Sequence, residues 1–162
     1  LQNMGITPWL VTGDSSEVAA TVASTVGIDA AHVVSHALPE TKLEIVERLK
    51  SEGHTVLMIG DGINDAAALT AANLSMAMGT GTDTAINSAD ITLMNTGLGS
   101  VVSALKLSTK TLKIIRLNMG WAFIYNVIGL PIAAAGLLTP LYAAAAMAAS
   151  SVLVVTNSLR IK

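Results

Sequence analysis

The chain has 162 residues, 52% of them apolar, a mean hydropathy of +0.62 and a net charge of -2 at neutral pH. That length allows one modest hydrophobic core, and the hydropathy is high for a soluble domain of this size, so part of the chain is expected not to face water. Zero cysteines exclude disulfides and any thiolate metal site built from this chain alone.

Charge divides the sequence. All 11 acidic residues lie between Asp14 and Asp90, whereas Lys106, Lys110, Lys113, Arg116, Arg160 and Lys162 bracket a run, from Leu117 to Leu159, that contains no Asp, Glu, Lys or Arg. An uncharged run of that length accommodates two membrane spans of roughly 20 residues each. Basic residues at both outer ends, with none in the middle, place both ends of such a hairpin in the cytoplasm. The acidic soluble part, and a basic cluster that adjoins the apolar run, argue against nucleic acid as a partner.

In chain order, Trp9 to Val11 reads as a short strand that stops at Thr12-Gly13-Asp14, and a helix is expected from Ser15 to Val26. A second helix runs from Glu40 to Ser51, with Pro39 at its start and Leu43, Val46 and Leu49 on one face. Thr55 to Ile59 is a buried strand by its β-branched content and ends at Gly60-Asp61-Gly62. Leu74 to Met78 and Ile91 to Met94 read as further strands, separated by Gly79-Thr80-Gly81 and a short helix. Strands alternating with helices imply an α/β fold with a parallel, Rossmann-like sheet, whose ligands lie beyond the carboxyl ends of the strands, where Asp14 and Asp61 fall. From about Leu98 a helix leads to the apolar run, and Thr139-Pro140 reads as the turn between two spans. The expected division is a domain over 1–97, a connecting helix over 98–116 and two spans within 117–159, at about 117–138 and 141–159.

Phosphoryl transfer with Mg²⁺ needs carboxylates for the metal, a lysine for the phosphoryl oxygens, and hydroxyl or backbone donors at strand ends. Thr12 and Gly13 offer a hydroxyl and backbone N–H groups, Lys42 the cation, and Asp61 with Asp65 the carboxylates. Asn64 adds an amide donor, and Gly60 and Gly62 allow the backbone to approach a phosphate. Taken singly, Asp14 reads equally well as a turn residue and Lys42 as a solvated helix residue. The run Gly60-Asp61-Gly62-Ile63-Asn64-Asp65 is more specific, because no turn requires glycines around an acid with a second acid four residues on.

TGD, then PETK, then GDGINDAAAL, in that order, resembles the haloacid-dehalogenase-type phosphorylation domain of P-type ATPases, and the resemblance covers nearly the whole chain. It implies that Thr12 and Gly13 contact the phosphoryl group, that Asp14 lies near ATP and Mg²⁺, and that Lys42 binds the aspartyl phosphate. It further implies that Asp61 ligates Mg²⁺, with Asp65 standing behind it and Asn64 completing the site. Ala67 departs from the family, which often has proline there, and the phosphorylated aspartate of its DKTGT motif does not occur in this sequence. The chain therefore reads as part of a longer protein, dependent on an N-terminal portion and inactive as an ATPase alone.

Within the apolar run, Tyr125 and Asn126 fall about 12 Å into the first span, and Met147, Ser150 and Ser151 about 15–20 Å into the second from the same side. A soft cation needs polar or sulfur ligands at such depths. Each residue also has an ordinary use: Tyr in interfacial belts, Met as packing filler, Ser with Ala at close helix contacts. Pro131 is expected to free a carbonyl in the first span. Tyr125-Asn126 with four residues before Pro131, and Met147 with two residues before Ser150-Ser151, resemble signatures of the Cu(I)-transporting branch of the heavy-metal ATPases. The resemblance implies Tyr125, Asn126, Met147 and Ser150 or Ser151 as sites for transported Cu(I), with Ag(I) as a possible second cargo. It also implies a lipid membrane, the remainder of the pump and a copper chaperone as partners. Competing readings are a Zn(II)- or Cd(II)-transporting relative, a soluble phosphatase of the same superfamily, which needs no hairpin, and an inactive membrane-anchored module.

Overall fold

The computed structural model describes residues 1–94, 97–137 and 139–161. Leu138, the expected end of the first span, and Lys162, one of the flanking cations, lie outside them, as do Asn95 and Thr96. The chain divides into a unit over Leu1–Val101 and a second over Val102–Lys162.

In the first unit, β1 (Leu10–Val11) leads through Ser15 into α1 (Ser16–Val26). Ala19 and Ala23, four residues apart, form the buried stripe of α1, and a left-handed Gly27 ends it by donating to the carbonyls of Ala23 and Ser24. Ser15 holds the cap position without a side-chain bond. The chain returns as β2 (Val33–Val34), parallel to β1 with Leu10 opposite Val33. Two valines were too short a run to be expected as a strand; the parallel pairing with β1 makes them one.

Helix α2 (Pro39–Ser51) starts at proline, whose missing N–H costs nothing in a first turn. Glu40 in its first turn and Arg48 and Lys50 in its last oppose the helix dipole. Val46 is buried as expected, but its fully turned-in partner is Ile45, while Leu43 and Leu49 are half-buried. Lys50 ties the helix end to α3 (Ala66–Ala71) through the Ala71 carbonyl.

Three parallel strands, β3 (Leu57–Gly60), β4 (Leu74–Met78) and β5 (Ile91–Leu93), pair in that order, with α4 (Asp83–Asn87) between the last two. The central strand β4 is the most buried: Ser75, Met76 and Ala77 are all enclosed, with Ala68 and Leu69 of α3 and Ala85 of α4 completing the core. Burial of Ser75 is tolerated because Asp90 Oδ2 accepts from both its N–H and its hydroxyl at 2.9 Å. The parallel α/β character is as expected. Among the described residues, however, the strands form two separate sheets, β1–β2 and β3–β4–β5, rather than one.

The second unit is a helical hairpin. Helix α5 (Gly99–Ala134) is continuous over 36 residues, so the connecting helix and first span expected from the sequence are one element. At about 54 Å it exceeds the roughly 30 Å hydrocarbon core of a bilayer. It passes through Pro131 and ends at a left-handed Gly136, after which α6 (Pro140–Ser158) returns. By length and composition both helices suffice to cross a membrane. Their apolar side chains are largely exposed, Leu130 at 76% and Phe123 at 71%, as expected of surface that lipid or other helices would cover.

Candidate functional site

Asp65 organises the loop after β3. Its side chain is buried beneath the β3 end, with Oδ1 2.6 Å from Lys42 Nζ, while Oδ2 accepts from the backbone N–H groups of Asp61 at 3.3 Å and Gly62 at 3.4 Å. Lys42 reaches it from the first turns of α2, and both side chains are shielded, 15% and 9% exposed. A charge-assisted bond in such a place is short and strong, and both of its charges depend on it.

Asp61 is then fixed from two sides. Its N–H points at Asp65, and its carbonyl accepts from Thr82 N–H at 2.9 Å, in the loop after β4. Among the described residues its carboxylate makes no bond and stands exposed. The backbone is held and the acid is left available, an arrangement suited to a hard divalent cation, which takes one or two carboxylates. Asn64, exposed in the 3-10 turn over Ile63–Asp65, is likewise unengaged among the described residues. Asp65, with both oxygens committed, supports the loop instead of offering a ligand position.

The glycines divide by role. A Cβ on Gly60 would lie 2.6 Å from Asp65 Cβ, so glycine is needed there to admit the Asp65 side chain, a reason internal to the protein and distinct from the phosphate approach expected. A Cβ on Gly62 meets nothing closer than 3.9 Å and one on Gly13 nothing closer than 3.6 Å. Gly81 was not expected to matter, yet its Cβ would lie 2.6 Å from the Asp61 carbonyl oxygen. The glycine pair after β4 was visible in the sequence, but its contact with the Asp61 loop depends on the pairing of β3 with β4. Ala67 is the second residue of α3, a first-turn position that would also accept proline, so the departure adds an N–H and removes only the constraint on φ.

After β1, Thr12 Oγ1 donates to Asp14 Oδ2 at 2.8 Å and accepts from Asp14 N–H at 3.2 Å. The next loop docks alongside, with His36 N–H donating to the Asp14 carbonyl and Ala37 N–H to that of Thr12, each at 2.9 Å. His36 adopts φ 51°, a left-handed conformation uncommon outside glycine. The Thr12–Asp14 loop and the Lys42–Asp61–Asp65 cluster thus stand at the ends of β1 and β3 as two built elements, with no hydrogen bond between them among the described residues.

In the hairpin, Tyr125 of α5 and Ser150 of α6 line one cleft of about 490 Å³, together with Asn118, Trp121, Val154 and Asn157. The other three residues expected at a cation site do not line it. Asn126 donates to its own helix at the Ala122 carbonyl, which satisfies the amide without a second helix, and Ser151 does the same at the Met147 carbonyl. Met147 is 73% exposed. No group of three or more His, Asp or Glu side chains able to hold a metal occurs among the described residues.

Comparison with known proteins gives one consistent result. A family of haloacid dehalogenase-like hydrolases matches residues 1–73. The cation-transporting P-type ATPase B of Mycobacterium bovis is 53% identical over all 162 residues, which span 21% of that protein. The copper-exporting P-type ATPase of Mycobacterium tuberculosis is 52% identical over the same length and 21% of its own. Among solved structures, a zinc-transporting PIB-type ATPase in its E2.Pi state matches with a TM-score of 0.87 and 34% identity, over 99% of this chain and 26% of that one. The chain spans about a fifth of the length of the curated relatives it matches.

Gly60→Ala is expected to destabilise the sheet around β3 and β4 by about 1–3 kcal/mol, since Asp65 must move to admit the methyl group. Gly62→Ala, made where there is room, should cost less than about 1 kcal/mol. Amide hydrogen exchange across β3 and β4 in the full chain distinguishes them, and equal protection in the two variants would refute the close-packing role of Gly60.

Proposed function

Since the chain belongs to the P-type ATPase family, we propose that it serves as part of an ATP-driven pump that carries Cu(I) across a membrane through an aspartyl-phosphate intermediate. The observation that carries this reading is the Asp61 loop, with its backbone fixed on both sides and its carboxylate unengaged among the described residues. Asp61 is the residue of this chain that would hold Mg²⁺, which when bound supplies positive charge to the phosphoryl oxygens. Lys42, oriented by Asp65, presents its ammonium beside the same loop as the fixed cation for the aspartyl phosphate. Thr12 and Gly13 contribute a hydroxyl and backbone donors to the phosphoryl group, and Asp14 lies toward the nucleotide. The Lys42 ammonium, held by Asp65, acts without reorganising during the reaction, whereas the Thr12 hydroxyl must first turn from Asp14 to donate to a phosphoryl oxygen. The aspartate that accepts the phosphoryl group belongs to the remainder of the pump.

In this reading residues 1–97 belong to the phosphorylation domain and 117–159 to the bilayer. The boundary at 116 is one of charge, since α5 runs through it unbroken. The transported ion is Cu(I), with Ag(I) as a chemically similar cargo. Support comes from the 52% identical copper-exporting relative, against 34% identity to the zinc-transporting one, and from the affinity of the Met147 thioether for a soft monovalent ion. Tyr125 and Ser150 face a shared cleft, while Asn126, Met147 and Ser151 face outward, toward helices supplied by the rest of the pump. Its partners are the lipid bilayer, that remainder and a copper chaperone. A soluble phosphatase would have no use for two exposed apolar helices of this length.

In the complete pump, Asp61→Asn keeps the size and removes the charge, and turnover is expected to fall at least about a hundredfold. Normal Mg²⁺-dependent ATP hydrolysis by that variant would place the metal elsewhere. Met147→Leu changes packing by less than about 1.5 kcal/mol but deletes the thioether, so Cu(I)-dependent phosphoenzyme formation should weaken sharply or disappear. An unchanged Cu(I) response excludes Met147 as a ligand, and activation of the parent by Zn(II) but not Cu(I) overturns the choice of metal. Finally, the flanking Arg116 and Arg160 support a topology with both hairpin ends in the cytoplasm. Cysteines introduced by Lys110→Cys and Thr139→Cys should therefore react with impermeant thiol reagents from opposite sides, and labelling from one side alone would refute this topology.

A further inference from the structure

The uncharged run carries polar side chains for which the cation path has no assigned use. Asn157 Nδ2 donates to Asn118 Oδ1 at 2.7 Å, and Asn118 Nδ2 donates to Ser158 Oγ at 3.0 Å. Ser158 Oγ passes its own hydrogen to the Val154 carbonyl at 2.8 Å. Each is partly buried between the helices, unlike Asn126, whose amide is satisfied within α5. The two asparagines thus join α5 to α6, and they do so through side chains alone.

Apart from the short connection between Ala134 and Pro140, little in the sequence defines how far along α5 the second helix sits. Residues 143–149 of α6 are alanine except for Met147, which is exposed, so this stretch presents a smooth surface with few projections to lock into a groove. In apolar surroundings an amide without a partner is costly, and a paired asparagine is an effective register mark. Register has a direct consequence here. Counting inward from Asn118 and Asn157, three residues lead to Trp121 and Val154, and seven lead to Tyr125 and Ser150; all six line the same cleft. Seven residues are about two helical turns, so each step returns to the same face of its helix. A slip of one turn, about 5.4 Å, would set Tyr125 against Ala146 or Val154 instead of Ser150.

We propose that Asn118, Asn157 and Ser158 form a positioning clasp that fixes the axial register of α5 against α6 and thereby brings Tyr125 and Ser150 together on the cation path. The role in transport rests on the reading of Tyr125 and Ser150 given above; the register itself does not. None of the three clasp residues touches the ion. They act through the alignment of the two that do.

The chain contains no native cysteine, so register is readable directly by cross-linking in lipid nanodiscs. Trp121→Cys with Val154→Cys reports the observed register, and Trp121→Cys with Ser150→Cys reports a one-turn slip. With the clasp intact, a short bifunctional thiol reagent should join the first pair preferentially. Asn118→Ala or Asn157→Ala should lower that preference about threefold to tenfold, the range of interhelical side-chain bonds in membranes, and the double variant should lose no more than Asn118→Ala, which already removes both bonds. Ser158→Ala, which removes only the acceptor of Asn118, should give a smaller loss and serves as a second variant if an asparagine replacement fails to insert. An unchanged preference in every variant overturns the clasp.

In the complete pump, the same replacements should raise the Cu(I) concentration for half-maximal phosphorylation from ATP by a similar factor while leaving Cu(I)-free phosphorylation from inorganic phosphate intact. A parallel fall of both reactions would indicate general damage and refute the positioning role, as would shifted cross-links with an unshifted Cu(I) requirement. A parent pump indifferent to Cu(I) would refute the proposed transport function, and the cross-linking result would still decide whether the clasp sets register.

Discussion

The Lys42–Asp65 pair is the constraint on which the candidate site of the first unit depends. One carboxylate joins the start of α2 to the loop after β3, neutralises a shielded ammonium, and accepts two backbone N–H groups that would otherwise lack partners at a strand end. Removing either charge would strand the other in a shielded site, a penalty larger than the net contribution of the pair itself. The fold makes room for the pair by placing glycine at position 60, where any side chain would collide with Asp65. Asp61 inherits its fixed position from this arrangement, so a carboxylate that is unengaged among the described residues is carried on a backbone that is held.

The same economy recurs where the loops meet. Gly81 permits the loop after β4 to close on the Asp61 carbonyl, and Thr82 supplies the N–H that meets it. On the β1 side, Thr12 and Asp14 bond to each other, and their carbonyls are held by the Ser35–Ala37 loop, with His36 in a left-handed conformation to reach Asp14. Both candidate phosphate-facing loops are thus held through main-chain bonds, and in the second of them the Asp61 and Asn64 side chains stay unengaged among the described residues. That division suits electrostatic catalysis, where groups fixed in advance lose nothing to reorganisation as charge develops.

In the hairpin a different physics applies. Most of its surface is apolar and exposed, so hydrophobic burial between the two helices contributes little, and polar bonds and close packing hold them. The asparagine pair lies at the charged end of the run, near Arg116 and Arg160 in sequence, whereas Tyr125 and Ser150 lie two turns further in. Alignment set at one end therefore fixes what faces what at depth, because helices are stiff on this length scale.

Much of this was legible in the sequence. The parallel α/β class, the strand at 74–78, the strand read at 55–59 and observed at 57–60, the helix from Pro39, and the two apolar helices follow from local patterns: short apolar runs, a proline start and the absence of charge over a long stretch. The association of Lys42 with Asp65, 23 residues apart, was legible only as two residues of a shared motif, and the motif does not state that they bond. What the sequence by itself determined was the set of groups: which acids, which lysine, which amides, and the division into a charged and an uncharged part. Only the tertiary structure decided that Gly60 serves Asp65, that Gly81 braces Asp61, that Asn126 and Met147 turn away from the cleft while Tyr125 and Ser150 share it, and that Asn118 meets Asn157. Each of these depends on strand pairing or helix register, and a composition or a period along one element carries no information about which residue of another element stands opposite.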